Sequence, residues 1–475
     1  MTVRHIPDLA DVQGNILRGY KKPHVRHLLL TVRDPAVARS WLLDATGGDV
    51  PHTPQVTTEQ ASRNKASTCL NIGLTHTGLE RLGVAPAHLK SFPHEFIDGM
   101  SSRALKLGDT GLSHPRHWKP EWRDSAKLQL VVSVYADKPG QRDKTAEEVL
   151  GAGHGAAFAE LSRLDGDALP GEQVHFGYRD NIAQPHFAGI RNPPRRPDRQ
   201  PLVEVGAVLL GHPTPVEDVR WEVPQPKRLG FNGSFNAFRV LEQQVDEFEK
   251  FLTRSAQAIS KSGLAHKMLP PDVEKTWSPP MSRPEAMREL VAAKILGRWR
   301  TGVPLDLSPT SPNLPGCGGL NDFDYVTDPD GLRCPVGSHI RRCNPRAGRI
   351  VQRSTNHSRR IVRRGMPYGP PYDPAHPDDG KERGLLGAFI CASLIAQFEA
   401  IQYDWMNLGL QHPKITGTND PVLGNNDPKF SSFTMPVGSS SIVLRGFPRF
   451  VRTVGGAYLF LPSIRALKYL GALHP

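Results

Sequence analysis

An apolar run of strand length, an amphipathic stretch, then a second apolar run: this order restricts the fold more than any single motif in the chain. Residues 25–32, centred on Leu28, Leu29 and Leu30, predict a strand. A helix is expected over about 35–43 and a second strand over 68–74. Thr75 is placed to cap a helix carrying Leu79, Leu82 and Val84. Residues 128–135 show the clearest strand pattern of this half, and 145–150 open another helix. Strand–helix–strand followed by strand–helix–strand is the βαββαβ order of a ferredoxin-like domain. Its fold class is α+β, an antiparallel sheet with helices packed on one side.

The second half repeats the plan with longer insertions. Strands are expected at 203–210, 235–241, 385–391, 441–444 and 457–461. Val245, Phe248 and Leu252 mark one helix. Ser282 and Pro284 begin another that carries Met287, Leu290, Val291 and Ile295. Leu394, Phe398, Ile401 and Trp405 mark a third. A stretch rich in Pro and Arg follows Ile190. The domain reading is therefore an N-terminal unit at 1–190, a linker at 191–202 and a C-terminal unit at 203–475. At 475 residues the chain is too long for one small core.

The formal net charge is +12, which suits nucleic acid, an anionic membrane surface or an acidic small molecule. No helix-turn-helix, RNA-recognition or zinc-finger pattern accompanies it. The basic residues concentrate near 333–364, which favours an anionic cofactor over a phosphate backbone. Five cysteines, Cys69, Cys317, Cys334, Cys343 and Cys391, are odd in number and irregular in spacing, so they argue against a disulfide framework. The N-terminus lacks an apolar segment and a twin arginine, and no run of eighteen apolar residues occurs. The expectation is a cytoplasmic chain without a membrane partner, with non-classical export, packaging in a protein shell and homo-oligomerisation left open.

Three stretches carry chemistry. Arg333-Cys334-Pro335-Val336-Gly337-Ser338-His339-Ile340-Arg341-Arg342-Cys343-Asn344-Pro345-Arg346 sets one histidine among arginines in a segment that reads as too polar for a core. His339 is read as an axial haem ligand and the metal-binding residue, and Arg346 as a partner for a haem propionate. A surface histidine in a basic loop is the plain alternative, and a zinc site of Cys334, His339 and Cys343 is a weaker one. Gly177-Tyr178-Arg179-Asp180-Asn181 is either an Asp-Asn turn or a carboxylate set over a cofactor. Arg359-Arg360-Ile361-Val362-Arg363-Arg364-Gly365 is either a basic strand end or the source of a guanidinium beside Asp180. Together these parts suit peroxide heterolysis, in which a carboxylate shuttles a proton and a guanidinium stabilises the departing oxygen.

Here the chain resembles a known family, the dye-decolourising peroxidases, particularly its longer fungal-like and bacterial members. The resemblance begins at Asp11-Val12-Gln13-Gly14-Asn15-Ile16-Leu17 and runs through Asn71-Ile72-Gly73-Leu74-Thr75 and Gly177–Pro185. It continues through Ala292-Ala293-Lys294-Ile295-Leu296-Gly297-Arg298-Trp299, His339-Ile340-Arg341-Arg342 and Arg363-Arg364-Gly365, and ends at Gly455-Gly456-Ala457-Tyr458-Leu459-Phe460-Leu461-Pro462. It implies two ferredoxin-like domains of the dimeric α/β-barrel type, with one haem b per chain in the second. It further implies hydrogen peroxide as oxidant, bulky phenolic or dye-like reductants, and one-electron oxidation. By resemblance Asp180 and Arg363 are the catalytic pair, with Arg360 as the rival of Arg363; His339 is the proximal ligand and Arg346 the propionate partner. The family pattern has Gly where Asn181 stands. Asn tolerates a positive φ, yet its side chain is expected near the haem or the peroxide channel.

Glu399 is the candidate carboxylate for orienting His339 through its second ring nitrogen; a helix-surface glutamate is the plain alternative. Trp299, Trp405, Tyr178 and Tyr368 are candidate electron relays, or simply packing. A haem carrier or store with little turnover is the alternative function, and Asn181 is its support. A basic nucleic-acid-binding protein is a third reading, resting on charge alone.

Overall fold

The structure, a computed structural model, describes residues 6–48, 50–61, 66–151, 155–190, 199–216, 219–316, 318–351 and 357–474. Most of the expected linker (191–198) and Cys317 lie outside them.

The first half builds β1 (His24–Val32), a helix Pro35–Gly47, β2 (Thr68–Leu74), β3 (Leu130–Ala136), a helix Pro139–Leu150 and β4 (Phe158–Asp167). Asp34 starts the first helix by accepting from the amides of Ala36 and Val37, and Pro35 sets its opening φ. Leu28, Leu29 and Leu30 are fully buried, each contributing about 2 kcal/mol. Both faces of the central strands are covered, which is why they read as continuous apolar runs rather than as alternation.

The second half builds β5 (Ser234–Gln243), helices Val245–Ser260 and Arg283–Leu296, and β6 (Val362–Arg363). It continues with β7 (Met366–Tyr368), β8 (Gly384–Cys391), a π-helix Leu394–Trp405 and β11 (Val451–Leu461). A separate ribbon pairs β9 (Ser432–Val437) with β10 (Ser440–Arg445). Ser282 and Glu285 form a reciprocal capping box at the helix that Ser282 and Pro284 announce. The expected strand at 203–210 is not one. Val205–Ala207 is a 3₁₀ turn, buried against Val12, Ile16 and Phe187, so burial rather than strand pairing explains that apolar run.

All the main strands join one antiparallel sheet in the order β4-β1-β3-β2-β11-β5-β8-β6, with β7 also on β8. The order β4-β1-β3-β2 is that of a ferredoxin-like unit, and β11-β5-β8-β6 repeats it. The halves meet where β2 lies beside β11, at Leu74 and Phe460. Gln13 staples this seam: its side-chain amide donates to the carbonyls of Ile72 (2.9 Å) and Pro462 (2.8 Å) and its oxygen accepts from the Ile72 amide (2.9 Å). A Cβ on Gly73 would stand 3.1 Å from Leu459, so the close approach favours glycine there. At the other end, Met366 of β7 packs on Val25, Cys69 and Tyr135 of the first half. The curved sheet thus brings its ends together, with no ladder between them among the described residues. No described helix is long and apolar enough to cross a membrane.

Candidate active site

His339 opens a short helix, His339–Cys343, inside the long connection between the helix Arg283–Leu296 and β6. The preceding Ser338 is fully buried and donates through its hydroxyl to the carbonyl of Lys294 (2.5 Å). The arginines that made this stretch look too polar for a core are buried: Arg341 is 6% exposed, Arg342 1% and Arg346 4%. Arg341 donates to Asp328 (3.0 Å) and to the Cys334 carbonyl (2.6 Å). Arg342 donates to the carbonyls of Gly337 (3.0 Å) and Thr418 (2.9 Å), and burial pulls it down to about 10. These guanidiniums pin the loop to the body of the protein, because a rigid fork of donors satisfies several buried carbonyls at once. Part of the local basic charge is therefore structural.

The ring of His339 is oriented by Asp420. Its Nδ1 lies 3.0 Å from Oδ2 and 3.2 Å from Oδ1 of that carboxylate, which is fully buried. Oδ1 also accepts the amides of Val422 and Leu423, each at 2.8 Å. Burial pushes Asp420 up, but His339, Arg342 and the amide bonds outweigh it and hold the carboxyl below its ordinary value. An ionised acceptor at Nδ1 fixes the proton there and leaves Nε2 as the ligating atom.

This corrects the expectation for Glu399. Its carboxylate is bound by Arg103 through two 2.6 Å contacts and accepts the hydroxyl of Tyr458 at 2.8 Å. The π-helix directs its neighbours Phe398 and Ile401 into the site, whereas Glu399 is absent from the cavity wall. Asp420 lies far from His339 in sequence, so no local spacing marks it. The available signal is an Asp before Pro-Val-Leu, a turn in which the carboxylate accepts amides two and three residues on.

Asp180 sits on a loop fastened from several sides. Gly177, at φ 81°, donates to the Val174 carbonyl (2.7 Å), Arg179 to Arg300 (3.1 Å) and the Asp180 amide to Glu172 (2.8 Å). The Tyr178 hydroxyl reaches the Ala292 carbonyl at 2.8 Å. Asn181 takes the left-handed conformation at φ 58°, as its place in a glycine position requires. It is exposed and outside the cavity wall, so the expected crowding of a cofactor by its side chain is corrected: the turn directs it to solvent.

Arg363 lies on β6, opposite Phe389. Its Nη2 donates to the Ala183 carbonyl (2.7 Å), and Gln184 bonds the Arg363 backbone in both directions, at 3.2 and 2.8 Å. The chain just beyond Asp180 is thereby tied along β6, and both side chains face one cavity. Arg360 also lines it and donates to Gln200 at 2.6 Å. Arg346 lines the same wall, stacks on Phe323 at 3.7 Å and donates to the Phe323 carbonyl at 2.9 Å.

The cavity measures about 300 Å³. His339 lines it together with Asp180, Arg363, Arg346 and Arg360, and Leu241, Phe389, Phe398, Ile401 and Leu423 supply apolar walls. That donor set fits haem: one imidazole with its proton fixed on Nδ1, apolar surface for a flat ring, and guanidiniums for acidic side groups. A zinc site fits less well. Cys334 is buried elsewhere, 4.0 Å from the Pro335 carbonyl. His339, Cys343 and Asp420 do cluster, but both Asp420 oxygens are already engaged by the ring and two amides.

Of the expected relays, Tyr178 lines the cavity, and Trp405 is buried beneath Arg359 at 5.0 Å. Trp299 is buried beside Trp277 and donates to the Ser308 carbonyl (2.8 Å), which accounts for it as packing. Tyr368 packs at the edge of β7 and is not part of the cavity wall.

The model of the DyP dimeric alpha+beta barrel domain matches residues 11–170. Peroxidase 2 of Mycetinis scorodonius is 28% identical, aligning 97% of this chain with 87% of its own. The multifunctional dye peroxidase DyP2 of Amycolatopsis sp. is 27% identical over 97% of this chain and 96% of its own length. Among solved structures, a dye-decolorizing peroxidase in complex with 2,6-dimethoxyphenol superposes with a TM-score of 0.79 at 26% identity, covering 98% of this chain and 100% of that one.

Proposed function

From the premise that this chain belongs to the dye-decolourising peroxidase family, we propose how its own residues perform the chemistry of a haem peroxidase. It is an oxidoreductase that uses hydrogen peroxide to oxidise aromatic substrates, and its bulky phenolic or dye-like reductants give up one electron at a time. The cofactor is haem b, one per chain.

Haem, when bound, supplies the electrons that break the peroxide O–O bond. His339 would hold its iron, and Asp420, by accepting the Nδ1 proton, would make that imidazole a stronger donor. Arg346 and Arg360, on the same cavity wall, would pair with its acidic side groups. The Asp180 carboxylate takes the proton from one peroxide oxygen and returns it to the departing one. Arg363, steadied by the Ala183 carbonyl, offsets the negative charge growing on that oxygen.

One observation carries the reading: His339, its ring held from behind by the buried Asp420, lines the same cavity as Asp180 and Arg363. The carrier alternative loses its support, since Asn181 stands outside that cavity. Haemin-loaded protein is expected to show a ferric Soret band that shifts on one equivalent of peroxide, and Asp180→Asn is expected to slow the shift while the band persists. A Soret band that peroxide leaves unmoved would overturn the proposal.

A further inference from the structure

The cavity that holds Asp180 and Arg363 has a second carboxylate and guanidinium in its wall, Asp109 and Arg239, and the peroxide step described above uses neither. Arg239 stands on β5, and Asp109 follows the short helix Ala104–Leu107; each is 2% exposed. Nη2 of Arg239 donates to Oδ1 of Asp109 at 2.5 Å and to the hydroxyl oxygen of Thr453 on β11. That hydroxyl in turn donates to the same Oδ1 at 3.1 Å. The other carboxylate oxygen, Oδ2, and Nε of Arg239 are buried with no hydrogen-bond partner among the described residues. Each is joined through a single carbon to the atom that makes the contact. A free acceptor and a free donor therefore flank one ion pair. Burying both unpaired costs stability, so their presence in a cavity wall points to a ligand that pairs with them.

Both arginines reach the cavity from the main sheet. On β8, Phe389 lies opposite Arg363 of β6, and Gly387 lies opposite Arg239 of β5. Strand and residue spacing put the Cα atoms of the two arginines roughly 12 Å apart. A Cβ on Gly387 would stand 2.6 Å from the Phe389 ring, so that ring lies over the strand between the two pairs. The same wall includes the half-buried Gly108, Asn425 and Arg449, which carry it from Asp109 towards the surface. Oδ1 of Asn425 and Oε1 of Gln243 are two more acceptors in it without a partner among the described residues.

A ligand for this place is small, neutral, and at once donor and acceptor. The carboxylate disfavours an anion and the guanidinium a cation, and both do so strongly where water is excluded. Hydrogen peroxide meets these conditions and is the reactant this cavity handles. We propose that Asp109 and Arg239 form a holding site for hydrogen peroxide on its way to Asp180 and Arg363. The inference rests on the haem peroxidase reading above. One peroxide hydroxyl donates to Oδ2 of Asp109, and Nε of Arg239 donates to a peroxide oxygen. No bond breaks at this site, and the peroxide passes on intact. Thr453 is a positioning residue that fixes Oδ1 and so leaves Oδ2 to the ligand.

The test is stopped flow of the haemin-loaded protein, timing the Soret shift with hydrogen peroxide and, separately, with peracetic acid. The only O–H of peracetic acid is bonded to its own carbonyl, so it cannot serve Asp109. Two variants are compared with wild type: Asp109→Asn, and Asp109→Leu combined with Arg239→Met. The second removes both buried charges together, a replacement that folded proteins tolerate better than the loss of one partner. In each variant the second-order rate constant with hydrogen peroxide is expected to fall about tenfold, the worth of one lost hydrogen bond, while that with peracetic acid stays within about twofold. An unchanged ratio of the two constants in either haem-loaded variant, whether both hold or both fall together, leaves a structural ion pair and overturns the holding site. A wild-type Soret band that neither oxidant shifts defeats the peroxidase reading beneath it instead.

Discussion

The two halves have the same strand order and differ in their connections. In the first half the chain runs from its opening helix to β2 through residues 48–67, and from its second helix to β4 through 151–157. In the second half the corresponding connections are 297–361 and 406–450. The first of these long segments carries His339 and Arg346, and the second carries Asp420. The site lies where the two enlarged connections meet, at the His339–Asp420 bond. A repeated sheet sets the frame, and lengthening the same two positions in only one copy supplies His339, Arg346 and Asp420 to the cavity region.

Replacing Asp180 by Asn should sharpen this comparison most, since it removes the proton shuttle and leaves both sheets intact. The rate of the peroxide-driven Soret shift in stopped flow is expected to fall by about 10²–10⁴-fold, with haem retained. Arg363→Leu should follow, with a loss of about 10²–10³-fold in the same assay. Asp420→Asn strikes the joint between the two long connections, and haemin affinity measured by titration is expected to weaken by about 10–100-fold.

The effect that leaves the site untouched belongs to the first half. His27 on β1 is 3% exposed, bonds Ser133 at 2.8 Å, and burial pulls it down to about 4 from 6.5. The folded chain keeps it neutral, so its share of stability is complete above about 6.5 and is lost as pH falls toward about 4, roughly 3 kcal/mol in all. His27→Leu should flatten the acid limb of a denaturant-midpoint titration over that window. An equally steep limb in the variant would place the acid sensitivity elsewhere, in the site-bearing half.

Legibility in the sequence follows how local each signal is. The strand at 68–74 and the caps at Thr75 and Ser282 were readable because pattern and cap lie side by side. Residues 203–210 misled because an apolar run reports burial, and a buried 3₁₀ turn satisfies it as well as a strand does. Asp180, His339 and Arg363 were found through their motifs, and the structure brings all three to one cavity. Asp420 was missed and Glu399 taken instead. The choice depends on which loop folds back to His339, which is a tertiary fact without a periodicity. Burial of Arg342 was hidden for the same reason, since its carbonyl partners Trp405 and Thr418 lie in a distant segment.

The central claim is that Asp420, delivered by the second long connection, sets the electronic character of His339. The iron–histidine stretching frequency of the ferrous haemin-loaded protein, read by resonance Raman in wild type and in Asp420→Asn, tests it most directly. A lower frequency in the variant, from a less anionic imidazole, is the predicted result. An unchanged frequency with haem still bound would contradict the account.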